Sequence, residues 1–194
     1  MSAGGQKALF LDRDGVINFD SGHTHTRESF EFIPGIFELC LAAQTLGYLL
    51  IVVTNQAGIA RGYYSETDFK DLTDWMMDQF AEKKVRITRL YYCPYHPVFG
   101  VGKYKYDSPD RKPHPGMLLR AQSELDLDLA ASILIGDKLS DMEAGCAAGV
   151  GKQILLSLES GHPGAQEGSY YQAKSLDEIR CRFFPTQTPP LISI

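Results

Sequence analysis

Apolar residues along this chain fall into two alternating rhythms. Short unbroken runs are followed by longer stretches in which apolar positions recur every three or four residues. Lys7–Leu11 (KALFL) is a run of the first kind and ends at Asp12, and Tyr48–Val53 (YLLIVV) ends at Thr54. Such runs are typical of strands buried on both faces of a parallel sheet. Ile87–Tyr92, Ser132–Ile135 and Lys152–Leu156 read as further strands. Between them, Pro34 opens a predicted helix with Ile36, Leu39, Cys40, Ala43 and Leu46 on one face and Gly47 at its end. Ser65 and Asp68 form a capping-box pattern at the start of a helix running to about Lys83. Helices are also predicted over Gly116–Leu125, after Gly136-Asp137 through Ala148, and over Leu176–Phe184.

Strand and helix alternate throughout, which predicts an α/β fold: a Rossmann-like, doubly wound parallel sheet with helices on both faces. The chain has 194 residues, enough for one domain with a sizeable core. A single domain is therefore expected over residues 1–184, with 185–194 as a C-terminal tail. In such sheets ligands bind outside the carboxyl ends of the strands. The residues at those ends are Asp12, Thr54, Cys93 and Asp137. A long Pro-, Gly- and Tyr-rich loop spans Cys93–Pro115, and loops of that length inside a compact domain are usually functional.

The net charge of -5 excludes a broad basic surface for nucleic acid, so any bound phosphate must be held locally. The four cysteines, Cys40, Cys93, Cys146 and Cys181, contain no CxxC pair and suggest no disulfide framework. Cys40 and Cys146 fall in apolar helical patterns and read as core. The segment MSAGGQK lacks the apolar stretch of a secretion signal, and no run reaches membrane-spanning length. A cytoplasmic, monomeric protein without membrane or nucleic-acid partners is expected.

Asp12-Arg13-Asp14-Gly15 follows the first strand. Two carboxylates so spaced on a turn can converge on one site. Asp12 could then coordinate a hard cation through one oxygen and attack phosphorus with the other, while Asp14 shuttles the proton. Two ordinary turn aspartates would read the same. Asp137, ending the fourth strand in Gly136-Asp137-Lys138-Leu139-Ser140-Asp141, would complete a magnesium site. Asp141 reads equally well as a supporting carboxylate or as a first-turn helix residue. Thr54-Asn55-Gln56 could cradle phosphate oxygens or form a plain turn. Arg111 and Lys112, bracketed by Pro113 and Pro115, could neutralise a phosphoryl group or be surface bases.

In this order, DRDG at 12–15, Thr54, Lys112 and GDxxxD at 136–141 resemble the four motifs of the haloacid dehalogenase (HAD) superfamily of phosphotransferases. Within it, FLDRDGVIN, FEFIPG, VVTNQAGIARG, LYYCPYHP, RKPHPGM and GDKLSDMEA resemble the D,D-heptose 1,7-bisphosphate phosphatases. The resemblance implies hydrolysis of the 7-phosphate of D-glycero-D-manno-heptose 1,7-bisphosphate, a phosphorylated sugar, for ADP-heptose and lipopolysaccharide supply. It implies a nucleophile at Asp12, an acid/base at Asp14, and catalytic parts for Thr54 and Lys112. It places Mg²⁺ at Asp12, Asp14 (through its backbone carbonyl) and Asp137. Substrate contacts are implied at Arg13, Asp20, Ser21, Gly22, His23, Thr54, Asn55, Gln56, Ala57, Arg111, Lys112 and Lys138. The family lacks a large cap domain, and no cap-sized insert is present here. The histidinol-phosphate phosphatases share DRDG, TNQ and RKP and are the alternative. Ser21–Gly35, with His23 and His25, looks more like the heptose enzymes, although either histidine could simply be solvated.

One departure stands out. Both groups of relatives typically carry a structural zinc on the long loop, through CxH and then CxC before RKP. Here Cys93 matches, but Tyr95 stands for the histidine and Ser108 and Asp110 for the cysteines. A closed zinc site needs four N or S ligands, so no zinc is expected. A rearranged set of Cys93, His96 and Asp110 is the remaining option. Without zinc, Tyr91, Tyr92, Tyr95, Phe99, Tyr104 and Tyr106 would order the loop by packing.

Overall fold

The structure is a computed structural model and describes residues 5–158 and 170–185. The expected tail, 185–194, lies outside these apart from Pro185. In chain order the elements are β1 (Ala8–Leu11), α1 (Ile36–Thr45), β2 (Leu49–Asn55), α2 (Ala57–Ala60), α3 (Glu66–Glu82) and β3 (Ile87–Cys93). Then come α4 (Gly116–Leu125), β4 (Ile133–Gly136), α5 (Leu139–Ala148), β5 (Lys152–Leu156), β6 (Tyr171–Ala173) and α6 (Leu176–Phe183). The strands form one parallel sheet in the order β3-β2-β1-β4-β5-β6. This is the doubly wound order, and its reversal point falls between β1 and β4. Asp12 and Asp137 follow those two strands and so meet where the topology opens a crevice.

Alternation within the apolar runs builds two cores. Leu9, Leu11, Leu50 and Val52 face one side of the sheet, with Ile36, Leu39, Met76, Phe80 and Ile179 of the covering helices. Ala8, Phe10, Ile51 and Val53 face the other, with Met117, Leu118, Ala121 and Ala144. Helix α3 shows how local sequence does this. Ser65 Oγ accepts from Asp68 N–H at 3.1 Å, and Asp68 Oδ2 accepts from Ser65 N–H at 2.8 Å. The helix then buries Phe69, Leu72, Met76 and Phe80 at helical spacing. Truncating the fully buried Phe80 to alanine would cost about 3–5 kcal/mol.

Some readings need correction. Helix α1 starts at Ile36, two residues after Pro34, and Leu46 caps it as an exposed residue outside the buried stripe. Cys146 is exposed. Gly145 packs on the sheet against Leu134 and Gln153, and the next position turns away to solvent. Thr54 and Asn55 belong to β2, not to a turn after it. The short α2 and β6 have too few residues to show a period and were not anticipated. Among the described residues no helix is long and apolar enough to cross a membrane.

Candidate active site

The carboxyl ends of β1, β2 and β4 surround a cavity of about 500 Å³. Asp12, Asp14, Asp20, Gly22, His23, Asn55, Ala57, Arg111, Lys112 and Lys138 line it, together with Tyr64 and Asp141. Thr54 and Gln56 are buried beneath them. Ser21 is exposed, pairs with Thr24 and is not part of the lining.

The floor is built of charge. Asp12 Oδ1 accepts from Arg13 N–H at 2.7 Å and pairs with Lys112 Nζ at 3.0 Å. The same ammonium meets Asp141 Oδ1 at 2.5 Å and donates to Val53 O at 2.8 Å. Lys112 arrives from the long loop, and Asn55 fixes it there. The Asn55 amide accepts from Lys112 N–H at 3.1 Å and donates to Lys112 O at 3.0 Å. Burial alone would lower the Lys112 pKa, but the Asp12 and Asp141 carboxylates outweigh it and hold the ammonium charged. Burial also raises Asp12, against the pull of Lys112 and with the push of Asp141. These directions pull against each other across one ion pair. Lys112 is shared between two carboxylates, so it is the fully charged member and Asp12 is left short of positive charge.

Asp137 deepens that shortage. Burial, and then the Asp12 charge, push its carboxyl up to about 7. Its Oδ1 is buried with no hydrogen-bond partner. Asp12, Asp137 and Asp141 each offer an oxygen within 4.8 Å of the others. Gly15, at φ 90°, lets them crowd together, since a Cβ there would lie 2.3 Å from Asp137 Oδ2. An all-oxygen set with an orphaned, buried carboxylate oxygen suits a hard divalent cation such as Mg²⁺. Among the described residues no other cluster of acidic, histidine or cysteine side chains forms. Cys93, His96 and Asp110 therefore do not gather. His96 Nδ1 accepts from Val98 and Phe99 N–H, and Asp110 pairs with Arg120 at 2.8 Å.

Asp14 is held in a separate cradle. Arg13 donates to its Oδ1 from Nη2 at 2.7 Å and Nε at 3.1 Å, and to Oδ2 at 2.9 Å. Asn18 Nδ2 donates to Oδ1 at 3.0 Å and Gln56 Nε2 to Oδ2 at 3.1 Å. The Asp14 side chain is thus turned from the acidic cluster, and the third carboxylate there is Asp141. Arg13, expected at the substrate, is 1% exposed and donates inward to Asp14 and to Thr24 O. A charge needing five donors satisfied is better held by buried acceptors than by a mobile ligand. Asn18, wholly buried, and Tyr64 were missed by sequence reasoning. Asparagine in a turn and tyrosine near a helix start carry no distinctive signal.

At the rim, Lys138 Nζ reaches Asp20 Oδ2 at 3.0 Å and Asp137 Oδ2 at 3.5 Å. Partial burial raises Asp20, but Lys138 and the Gly22 N–H bring its carboxyl below the usual range. Arg111 donates to Tyr95 O at 3.2 Å. His23 meets the Tyr63 ring edge-on, and His25 stacks on Tyr64.

A HAD-hydrolase-like family model matches residues 110–174. Over 150 residues, 77% of this chain and 79% of the relative, the sequence is 59% identical to a D-glycero-α-D-manno-heptose-1,7-bisphosphate 7-phosphatase of Burkholderia mallei. Over 173 residues, 89% and 92% of the two chains, it is 49% identical to the D-glycero-β-D-manno-heptose-1,7-bisphosphate 7-phosphatase of Vibrio cholerae. Among solved structures, D,D-heptose 1,7-bisphosphate phosphatase from B. bronchiseptica, complexed with magnesium and phosphate, superposes with a TM-score of 0.76 at 27% identity. That match covers 89% of this chain and 95% of the other. With the motifs on the strand ends of a doubly wound sheet and identity of this extent, the chain belongs to the D-glycero-manno-heptose-1,7-bisphosphate 7-phosphatase family of HAD hydrolases.

Proposed function

We propose that this chain removes the 7-phosphate of D-glycero-D-manno-heptose 1,7-bisphosphate through an ester formed on Asp12. The observation that carries the chemistry is the state of Asp12 on the cavity floor. Its Oδ1 is held by Lys112 and the Arg13 N–H, which leaves Oδ2 for attack. Oδ2 attacks phosphorus, the bond from phosphorus to the sugar oxygen breaks, and Asp14 gives that oxygen its proton. Asp14, now a carboxylate, takes a proton from a water whose oxygen attacks the aspartyl phosphate. The phosphorus–Asp12 bond breaks, phosphate leaves, and both aspartates return to their starting forms.

Lys112 neutralises charge on Asp12 and on the phosphoryl group in flight. The Thr54 hydroxyl accepts from Gln56 Nε2 at 2.8 Å, so its own proton is free for a phosphate oxygen. Asp12, Asp137 and the Asp14 backbone carbonyl would hold Mg²⁺, which when bound supplies positive charge to the phosphoryl oxygens. Arg111 and Lys138 give the cavity a second cationic pole, suited to the phosphate that stays on the sugar. Loop 93–115 brings Arg111 and Lys112 to this site without zinc, and the product serves lipopolysaccharide heptose supply in the cytoplasm. The substrate itself is supported by the relatives, which are named for it.

Steady-state kinetics on both anomers of heptose 1,7-bisphosphate, beside histidinol phosphate and with or without Mg²⁺, test this. The expected result is Mg²⁺-dependent release of one phosphate from a heptose bisphosphate. A preference for histidinol phosphate would overturn the assignment.

A further inference from the structure

Tyr64 sits behind the acid/base group and touches neither the metal-type cluster nor the nucleophile. It lines the cavity, is 7% exposed, and donates its hydroxyl to Gln56 Oε1 at 2.6 Å. Gln56 is 1% exposed, and its Nε2 donates to Asp14 Oδ2 and to Thr54 Oγ1. A glutamine amide can be turned over, exchanging its oxygen and nitrogen ends. The Tyr64 hydroxyl donates to the oxygen end and Asp14 Oδ2 accepts from the nitrogen end, so the two partners together set the orientation. Burial pushes the Tyr64 phenol up to about 12, which keeps that proton in place at working pH. The amide nitrogen must then face Asp14 and Thr54.

The surroundings hold the ring where this works. A Cβ at Gly58 would stand 2.1 Å from Tyr64 Cε1, so glycine there makes room for the ring. His25 stacks on its other side, with ring centroids 5.0 Å apart and planes within 6°. The ring thus keeps its place by packing, and the hydroxyl is a separable feature. On Asp14, Oδ1 takes three donor contacts from Arg13 and Asn18, whereas Oδ2 takes one from Arg13 and one from Gln56. Oδ2 is the less saturated oxygen, and the orientation of Gln56 decides what it meets.

We infer that Tyr64 is a positioning residue, which acts through Gln56 to aim Asp14 at the leaving oxygen. This rests on the role proposed above for Asp14. If the amide turns over, its carbonyl faces Asp14 and draws that carboxyl's proton to itself, away from the leaving oxygen. Protonation of the leaving group then becomes the weak step. An alkoxide leaving group from a sugar needs that proton, and p-nitrophenolate does not.

The test compares Tyr64→Phe with wild type on heptose 1,7-bisphosphate and on p-nitrophenyl phosphate, both with Mg²⁺. Wild-type turnover of the bisphosphate is checked first, and its absence would sink the function and not this inference. For Tyr64→Phe, kcat/KM on the sugar should fall roughly tenfold, the size of about one lost hydrogen bond. On p-nitrophenyl phosphate it should change less than about twofold, with an unchanged unfolding temperature. Gln56→Met should show the same selective loss, and the double variant no further loss. If Tyr64→Phe does not fold, Gln56→Met alone decides by the same ratio. An equal fall on both substrates, or no fall on either, would overturn the inference.

Discussion

The cavity floor and the long loop that delivers Lys112 to it are held by opposite means. The floor is a dense set of buried charges on strand ends: Asp12, Asp137 and Asp141 around one ammonium. The loop contains only a single short 3-10 turn, Gly102–Tyr104, and is tied down by many modest contacts. Glu66, at the start of α3, accepts from Tyr92 and Tyr104 hydroxyls at 2.7 and 2.6 Å. Arg61 lies over Phe99, Val101 N–H donates to Ala60 O, and Asp110 pairs with Arg120. The floor therefore concentrates its energetics in a few groups that cannot be removed singly, because each one lost strands another buried charge. The loop spreads its energetics so that single losses are small. Tyrosine hydroxyls and rings supply much of that spread of contacts.

Removing Asp12, the proposed nucleophile, should break the floor most completely. Asp12→Asn is expected to lower kcat by roughly four orders of magnitude or more, with no phosphate trapped on the protein after rapid quenching. Lys112→Ala comes next, with an expected loss of about 10²–10³ in kcat. It also leaves Asp12 and Asp141 unpaired, so its unfolding temperature should drop as well. Asp110→Ala, which removes one partly exposed pair of the same loop, should stay within about twofold of wild type. Equal losses for the two would erase the distinction between floor and loop.

A third effect follows from Asp137, whose carboxyl rises from 3.8 to about 7. The folded form holds this proton more tightly than the unfolded chain. Without metal, stability should therefore fall as pH rises from about 4 to about 7. Magnesium needs the ionised carboxylate, so it should raise the unfolding temperature more at pH 8 than at pH 6. Asp137→Asn should remove that difference, and a magnesium shift equal at both pH values would contradict it. The smallest effect belongs to the loop. Glu66→Gln is expected to cost roughly 1 kcal/mol, or about 3 °C, with kcat retained. Metal analysis of protein purified without chelator should find no stoichiometric zinc. One zinc per chain would mean that the hydroxyl contacts are not what orders the loop.

Much of this was written locally. The KALFL and YLLIVV runs specify strands because an unbroken apolar run can be buried on both faces, and alternation with helices then specifies a parallel sheet. Ser65 and Asp68 mark a helix start because they are neighbours across one turn. Asp12, Asp14, Thr54, Lys112 and Asp137 were legible as a group because each closes or follows a recognisable segment. The sequence by itself thus determined the sheet, its functional edge and the residue types gathered there.

Partnerships within that edge were decided by the tertiary structure. Nothing local says that Arg13 turns inward to Asp14, that Asn55 brackets the Lys112 backbone, or that Lys112 bridges Asp12 and Asp141. Nor does it say that Asp141 and not the Asp14 side chain joins the acidic cluster, that Cys146 faces solvent, or that Tyr64 fixes Gln56. Strand and helix periods fix which face a side chain leaves from, within a few residues. Which donor meets which carboxylate depends on segments distant in sequence closing on one another, and that closure is settled by packing the two cores on either side of the sheet.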